Sequence, residues 1–455
     1  MAWLSDEGMD STRNLEPVKQ QGPWKLQAAA SWGASADATG KDADSSQPCP
    51  AAPGENRDEP GLDWQVALHG GETGLEALWP AWERMLAGDG GCYYERPEYY
   101  RAYQRCLERQ PGAGLLLAVG QEKAPTLIVP LQRHTLGRGP LGLRLLQTPS
   151  HPHLSGLGVP LSVAAAPADL ESTLQALLGA RGRGLNWDVL RLRNIPAASP
   201  VPQLMRRLAP GRVLVRTRRV RAWFDCRTEA GVMGRYPGTH RRNLARLRRR
   251  AEQGRGLRVE IVRAPGALES AFETFLRLES AGWKGAGGTG SAIASCPDLR
   301  RYYRGLMRGF AALGRCQINL LRIGDQYAAG QFCLLGRGRL AVLKIGYDEA
   351  FKSEGPGVIL LDEVLRDCVA RGDVARVDLT TAPDWARRWN PQLEELLDLW
   401  VFRPGPRADL ARLALRLRSS LKQGFRTRGG ASAFRLRSNS RDAWASMESP
   451  GRAQW

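Results

Sequence analysis

The sequence has little histidine and no closely spaced cysteines, and both shortages narrow the chemistry it can carry. Among 455 residues there are five histidines and eight cysteines, and no two cysteines form a C-x-x-C pair. No histidine follows a cysteine at zinc-finger spacing. We therefore expect free thiols, no disulfide framework and no metal. His151 and His153, in SHPHLSG, form a close pair. We interpret them as a loop with two polar rings, and a structural metal site is the alternative.

The chain also lacks the patterns of export and of membrane insertion. It begins MAWLSDEGMDSTRN, which has neither the basic nor the apolar part of a secretory signal. No apolar run approaches the roughly 20 residues of a membrane-spanning helix. These absences predict a cytoplasmic protein.

Acidic residues are scarce, with 46 Asp and Glu against 65 Lys and Arg, so the net charge is +19. Two segments concentrate the excess. Arg403–Arg441 holds ten arginines and one lysine against one aspartate, and Arg241–Arg250 lies within THRRNLARLRRR. Such clusters favour polyanions such as nucleic acid or anionic lipid, although a solvated helix face is the plain alternative. In the first segment, apolar residues at 410, 413, 417 and 421 predict a basic amphipathic helix. Such a helix attaches peripherally to the inner membrane face or grips a partner, and a solvated helix after the last domain is the alternative.

The composition divides the chain into four parts. Residues 1–61 are rich in Ala, Ser, Gly, Asp and Pro without periodicity, which predicts a disordered tail. Residues 62–222 and 223–403 are predicted modules, and 404–455 is a basic tail. The first module is predicted to be structural, because TPSHPHLSGLGVPL offers no ligand-binding loop comparable to the second module's.

Both modules repeat one order of elements. An aromatic helical stretch (ERPEYYRAYQRCLE, DLRRYYRGLMRGFAALG) precedes antiparallel strands, and a helix and a further strand follow. The predicted strands are 114–120, 126–134 and 186–195 in the first module, and 317–323, 327–335, 340–348 and 374–382 in the second. This pattern predicts an α/β fold with mixed sheets, built as two side-by-side modules rather than as one large sheet.

One glycine-rich turn separates a strand from a helix, in LKIGYDEAFKSEGPGVILL. The segment Gly355-Pro356-Gly357 is either an ordinary reversal or a phosphate seat, since free N–H groups at a helix N-terminus bind anions.

Several motifs together resemble the GNAT acyltransferase superfamily, more narrowly its tandem CelD/BcsL-type proteins, which are also similar to Fem-type peptidyltransferases. The motifs are RRNLARLRRRAEQG, LESAGWKG, AAGQFCL, LKIGYDEAFKSEGPGVILL and DLTTAPDWARRW. The resemblance covers roughly 62–403 and is specific over 239–390. It implies transfer of an acyl group from a thioester, acetyl-CoA or another acyl-CoA, to an amine or hydroxyl of a saccharide or other envelope or exopolysaccharide acceptor. The donor loop matches the family pattern only at Gly355 and Gly357, so an acyl carrier or aminoacyl-tRNA donor stays open.

The resemblance also implies roles for individual residues. The candidate proton acceptors are Glu279, Asp348 and Asp378, and Tyr347 is the candidate proton donor to the leaving thiolate. The donor would be held by Lys344, Lys352, Gly355 and Gly357, and the acceptor by Trp283, Lys284, Gln331 and Trp389. Several have a structural alternative: Asp378 as a helix-cap or turn acceptor, Glu279 as a solvated helix residue, Tyr347 and the tryptophans as packing residues, and Gln331 as a partner of a bulge carbonyl. Lys344 would bind donor phosphate or an acidic acceptor, or lie on the surface.

Two other classes of function remain open from the sequence. One is a nucleic-acid-binding protein that uses the arginine clusters, although no known nucleic-acid-recognition motif accompanies them. The other is a non-catalytic assembly factor with a degenerate acyltransferase fold.

Overall fold

The computed structural model describes residues 65–86, 91–108, 114–121, 124–137, 142–154, 167–179, 185–253, 256–282, 284–285 and 290–417. The predicted tail over 1–61 and residues 418–455 of the predicted basic tail lie outside these ranges.

The strands and helices follow the predicted order. The strands are β1 (Gln65–Gly70), β2 (Gly114–Gln121), β3 (Ala124–Leu136), β4 (Leu143–Gln147), β5 (Val189–Pro196), β6 (Val213–Asp225), β7 (Leu257–Val262), β8 (Cys316–Ile323), β9 (Gln326–Gly336), β10 (Arg339–Tyr347), β11 (Arg376–Asp378) and β12 (Gln392–Phe402). The helices are α1 (Gly71–Met85), α2 (Pro97–Cys106), α3 (Pro167–Gly179), α4 (Val201–Leu208), α5 (Glu229–Val232), α6 (Gly238–Glu252), α7 (Pro265–Ala281), α8 (Pro297–Ala311) and α9 (Pro356–Arg371). A further helix covers residues 406–417.

The described strands form a single mixed sheet of twelve, in the order β1-β2-β3-β4-β5-β12-β6-β11-β10-β9-β8-β7. From each edge of the sheet, five strands follow one another in chain order, and the sixth is the last strand of the other half. These sets are β1 to β5 with β12, and β7 to β11 with β6. On each side an antiparallel meander is followed by one parallel pair, β4 with β5 and β10 with β11. The predicted α/β class with mixed parallel and antiparallel strands is confirmed.

The prediction of two modules instead of one large sheet is wrong, because the last strand of each half is exchanged. β6 ends the first half but pairs with β11 of the second, and β12 ends the second half but pairs with β5 of the first. β6 and β12 also pair with each other, which makes the sheet continuous. Residues 222 and 223, the predicted module boundary, lie inside β6.

Helices cover both faces of the sheet, so the central strands are apolar runs rather than alternating ones. Helices α1, α2, α7 and α8 share one core, in which Tyr99 of α2 meets Tyr302 of α8 edge to face at 6.4 Å. On the other face, α3 and α4 cover the first half, and α6 and α9 cover the second. No helix in the described ranges has the length and hydropathy of a membrane span.

Candidate active site

Strand β10 is open along most of one edge. Its parallel pairing with β11 covers only Arg339–Ala341, while its pairing with β9 continues to Tyr347. Beyond Asp378 the chain follows β6 instead, where Leu379 N–H donates to the carbonyl of Ala222. The register with β9 also shifts between Val342 and Lys344. Backbone groups of β10 therefore face a notch between two diverging strands.

A pocket opens beside this strand and the end of α7. It is lined by Glu279, Gly282, Lys284, Ile345, Gly346, Tyr347 and Trp385, and it encloses about 390 Å³ including its open mouth. Gly346 permits this arrangement, because a Cβ there would lie 2.6 Å from the Cα of Glu279. The strand and the helix thus approach each other more closely than any side chain would allow.

Glu279 is the carboxylate of the pocket. It is 3% exposed and accepts a hydrogen bond from Ile293 N–H at 2.8 Å. Lys284 Nζ lies 3.1 Å from its other oxygen and also donates to the carbonyl of Ile345 at 3.2 Å. A carboxylate has about four acceptor positions, so a substrate proton still has a place to bind.

Lys344 lies near the same pocket, on the α8 side of β10. Its Nζ stands 5.8 Å from the ring centre of Tyr303. Burial, then the neighbouring Lys284 ammonium, lower the pKa of Lys344 to about 8, against the opposing effect of Glu279. The donor loop leads into α9, on the opposite face of the sheet, which weakens the predicted donor-phosphate role of Lys344.

His153 brings the first half of the chain to this site. Its Nδ1 and the Tyr303 hydroxyl share a hydrogen bond of 3.0 Å. Burial, followed by the charges of Lys344, His151 and Lys284, lowers the pKa of His153 to about 3. Burial also raises the pKa of Tyr303 well above its usual value. Both groups are therefore neutral at pH 7.

The turn after β10 contains the predicted donor loop. Asp348 caps this turn by accepting from Ala350 N–H at 2.9 Å, a structural role in place of the predicted base. Lys352 is exposed and pairs with Glu349 at 3.6 Å. Tyr347, which lines the pocket, donates to Glu349 at 2.9 Å.

The two loop glycines serve different purposes. Gly355 has φ +63°, and a Cβ there would lie 2.9 Å from Leu247 of α6, so the backbone turn and packing account for it. Gly357 has open space beside it, at the start of α9. The close backbone approach predicted for a donor phosphate is therefore available at Gly357 and not at Gly355.

The arginine helix α6 lies over this loop. Its inner face buries Leu244, Leu247 and Ala251, as the sequence pattern predicts. Its outer face exposes Arg241, Arg242, Arg246, Arg249 and Arg250. The closeness of Leu247 to Gly355 places α6 beside the donor loop, with the arginines on its exposed face.

Three other predicted site residues lie outside the pocket. The carboxylate of Asp378 is 3% exposed and accepts from Arg376 at 2.7 Å, so it belongs to a buried ion pair. Gln331 is fully buried and accepts from Asn319 at 3.1 Å. Trp389 is also fully buried, 4.3 Å from His240 between ring centres, so it packs in the core instead of holding the acceptor as predicted.

Trp283 lies outside the described residues. Among the described tryptophans, Trp385, four positions before Trp389, lines the pocket, and the sequence did not single it out. Sequence reasoning also missed Tyr303 and the place of His153. The sequence signals for these residues were the aromatic pair in DLRRYYRG and the histidine pair in SHPHLSG. Because His153 and Tyr303 are 150 positions apart, no local pattern indicated their contact. Among the described residues, no group of His, Cys, Asp and Glu is arranged to hold a metal ion.

Comparisons with known proteins find similarity in sequence and in fold. Residues 238–390 match the sequence model of an acetyltransferase (GNAT) domain. The crystal structure of FemX is similar at a TM-score of 0.50 and 10% identity, over 74% of this chain and 98% of that one. The C-terminal domain of a putative lysylphosphatidylglycerol synthetase from Agrobacterium fabrum gives 0.44 and 11%, over 76% and 96%. A tandem GNAT protein from the clavulanic acid biosynthesis pathway gives 0.34 and 12%, over 75% and 100%.

Comparison with curated protein sequences finds no match. The likeness to FemX supports the fold, and the sequence match identifies an acyltransferase domain.

Proposed function

We propose that this GNAT-type acyltransferase domain moves an acyl group from a thioester donor, acetyl-CoA or another acyl-CoA, to an amine or hydroxyl of an envelope or exopolysaccharide precursor. The observation that carries the proposal is the open edge of β10, which ends in a turn leading directly into the N-terminus of α9. The edge offers backbone groups to the acyl chain. The helix start favours a negatively charged group.

The reaction joins the acceptor to the acyl carbon. The acceptor nitrogen or oxygen attacks the carbonyl carbon, the C–S bond breaks, and the thiolate leaves. Glu279 takes the proton that the acceptor loses, because it is the carboxylate in the pocket. The hydroxyl of Tyr347, also in the pocket, gives a proton to the thiolate and regains one from solvent.

The donor loop fits a phosphate with fewer contacts than the family pattern would offer. Pro356 has no N–H, and Gly355 N–H already donates to the carbonyl of Lys352 at 3.2 Å. Gly357 leaves space for close approach, and Lys352 adds a mobile positive charge. We therefore expect the contacts of an acyl-CoA with the notch along β10 to contribute more to its binding than the contacts of its diphosphate with the donor loop.

A second candidate donor is an aminoacyl-tRNA, as in the Fem-type resemblance. The observation that favours it is the exposed arginine face of α6 above the donor loop. Arginines in such a row neutralise phosphates, and the affinity then falls steeply with salt.

The test is thermal unfolding with acetyl-CoA, longer acyl-CoAs and free CoA. A ligand at 100 times its Kd stabilises by about 2.7 kcal/mol. Gly357→Glu should abolish the shift, because its carboxylate would occupy the open side of the loop. Gly266→Glu is the matched control, since Pro265-Gly266 begins α7 as Pro356-Gly357 begins α9, and Gly266 also has open space.

Each outcome of this test has a definite meaning. A shift that Gly357→Glu loses and Gly266→Glu keeps supports an acyl-CoA donor at this loop. No shift with any of these ligands contradicts it. Salt-sensitive binding of tRNA that Arg246→Glu weakens would then support the second donor.

We propose the helix over 406–417 as the contact with an anionic lipid surface. Leu410, Leu413 and Leu417 are 69%, 54% and 55% exposed and lie beside Arg412 and Arg416. Vesicles with one-quarter phosphatidylglycerol should sediment the protein, and vesicles of phosphatidylcholine should not. Equal sedimentation with both, or binding unchanged in Leu413→Ser, would contradict this contact.

A further inference from the structure

The side chain of Lys344 carries a positive charge that forms no ion pair with a carboxylate of the described residues, although Glu279 acts on it from a distance. Its Nζ lies 5.8 Å from the ring centre of Tyr303. The nearest carboxylate in the cluster, that of Glu279, is already paired with Lys284 at 3.1 Å. A partly buried ammonium beside a second ammonium is costly unless an anion joins it.

The remaining neighbours of Lys344 cannot supply that anion. His153 and Tyr303 bond to each other at 3.0 Å and are both neutral at pH 7. They form a polar wall without charge, one member from the first half and the other from α8 of the second. Among the described residues of this cluster, an incoming anion would therefore meet a cation and uncharged polar atoms, and the one carboxylate there, that of Glu279, is already paired.

The position of Lys344 assigns this anion to the acceptor rather than to the donor. Lys344 lies on the α8 face of the sheet, whereas the donor loop leads to α9 on the other face. Lys344 is also two residues before Gly346, which touches Glu279, the carboxylate that would take the acceptor's proton.

We propose that the acceptor carries an anionic group, a carboxylate or a phosphate, close to its reacting amine or hydroxyl, and that Lys344 binds this group against a wall made by His153 and Tyr303. This inference rests on the proposed acyl transfer. It also gives the first half of the chain a part in recognising the acceptor, through the loop that holds His153.

The test measures how strongly anions protect Lys344 from a reagent. The protein is labelled at pH 8 with a trace of isotopic acetic anhydride, and mass spectrometry gives the ratio of labelling at Lys344 in the folded protein to labelling of the same residue after unfolding. The probes are inorganic phosphate, propionate and the neutral propanamide, at constant ionic strength. The unfolded protein serves as the reference because its lysines are no longer protected by folded structure.

We expect phosphate or propionate to lower this ratio at least about fivefold, and propanamide to leave it unchanged. The more effective anion identifies the acceptor's group as phosphate or carboxylate. His153→Ala, whose melting temperature is checked first, should remove most of the protection. An unchanged ratio with both anions, or equal protection by propanamide, overturns the anion site. Full protection in His153→Ala overturns the proposal that the first half of the chain takes part in recognising the acceptor.

This result is separable from the donor proposal because labelling needs no turnover. Protection of Lys344 in a protein that shows no shift with acyl-CoA keeps the anion site and contradicts the donor. A donor shift without any protection of Lys344 contradicts the anion site alone.

Discussion

The two halves of the sheet have the same order of strands but differ at their parallel pair. In the first half, Leu145–Gln147 at the end of β4 pair with β5, so β4 has no free length beyond the pair. In the second half, Arg339–Ala341 at the start of β10 pair with β11, and six further residues to Tyr347 extend past the pair. A shift in where two strands meet thus decides which half has an open notch.

The two halves also differ in the role of the buried charged side chains near their parallel pairs. At the parallel pair of the first half, Arg191 bonds Asp398 of the exchanged strand β12 at 2.7 Å, and both are buried. At the notch of the second half, the carboxylate of Glu279 faces a pocket. The first arrangement joins the halves, whereas the second leaves a group available for chemistry.

The largest expected effect is on catalysis, at Glu279. Glu279→Gln keeps the size of the side chain and its contact with Ile293 N–H but removes the proton acceptor. Acyl transfer should fall by about 10²- to 10⁴-fold, as general-base removal typically does. Glu269→Gln, on the outer side of α7, is the control and should keep nearly full activity. Comparable activity of the two variants would exclude Glu279 as the base.

The next effect is on the stability of the joined halves. Asp398→Ala removes the carboxylate of a buried ion pair with Arg191, and breaking such a pair costs about 3–5 kcal/mol. Because β12 belongs to both halves, chemical denaturation should still show one cooperative transition, at lower denaturant. Separate transitions for the two halves would contradict the continuous sheet.

A smaller effect on stability should distinguish a substitution at Gly346 from the same substitution at Gly357. Gly346→Ala places a methyl group against the backbone of Glu279 and should destabilise by about 1–3 kcal/mol. Gly357→Ala faces open space and should unfold at the same temperature as the wild type. Equal melting temperatures for both variants would mean that the backbone of α7 does not lie in close contact with β10 at Gly346.

The smallest effect is a dependence of stability on pH. The groups around Lys344 are Lys284, Glu279, His153 and Tyr303, and its pKa in the folded protein is about 8. Between this value and about 10.5 the unfolded chain holds an extra proton, so the unfolding free energy should rise with pH, by about 1–3 kcal/mol in all.

Lys344→Met should remove most of this rise, and Lys352→Met, on the surface, should retain it. Identical pH profiles for the wild type and Lys344→Met would show that Lys344 titrates normally.

The repeated pattern of elements was predictable because it is local. Strands such as β8 and β9 are apolar runs between short turns, and α6 shows its buried leucines at helical spacing. The exchange of β6 and β12 was not predictable, since pairing partners far apart in sequence leave no local signal.

The candidate site was predictable in part for the same reason. Glu279, Lys284 and Tyr347 line one pocket, but the pairing of Asp378 with Arg376 and the burial of Trp389 depend on tertiary contacts. His153 reaches Tyr303 where α2 of the first half packs against α8 of the second, in one core on the same face of the sheet.

Hydrogen exchange with and without acetyl-CoA would test the account most directly, because it reports on both parallel pairs in one sample. The open notch of β10 should bind the donor, so peptides covering 342–357 should gain protection and those covering β4 should not. No change at 342–357, or protection at β4 instead, would contradict the claim that the second half alone holds the donor.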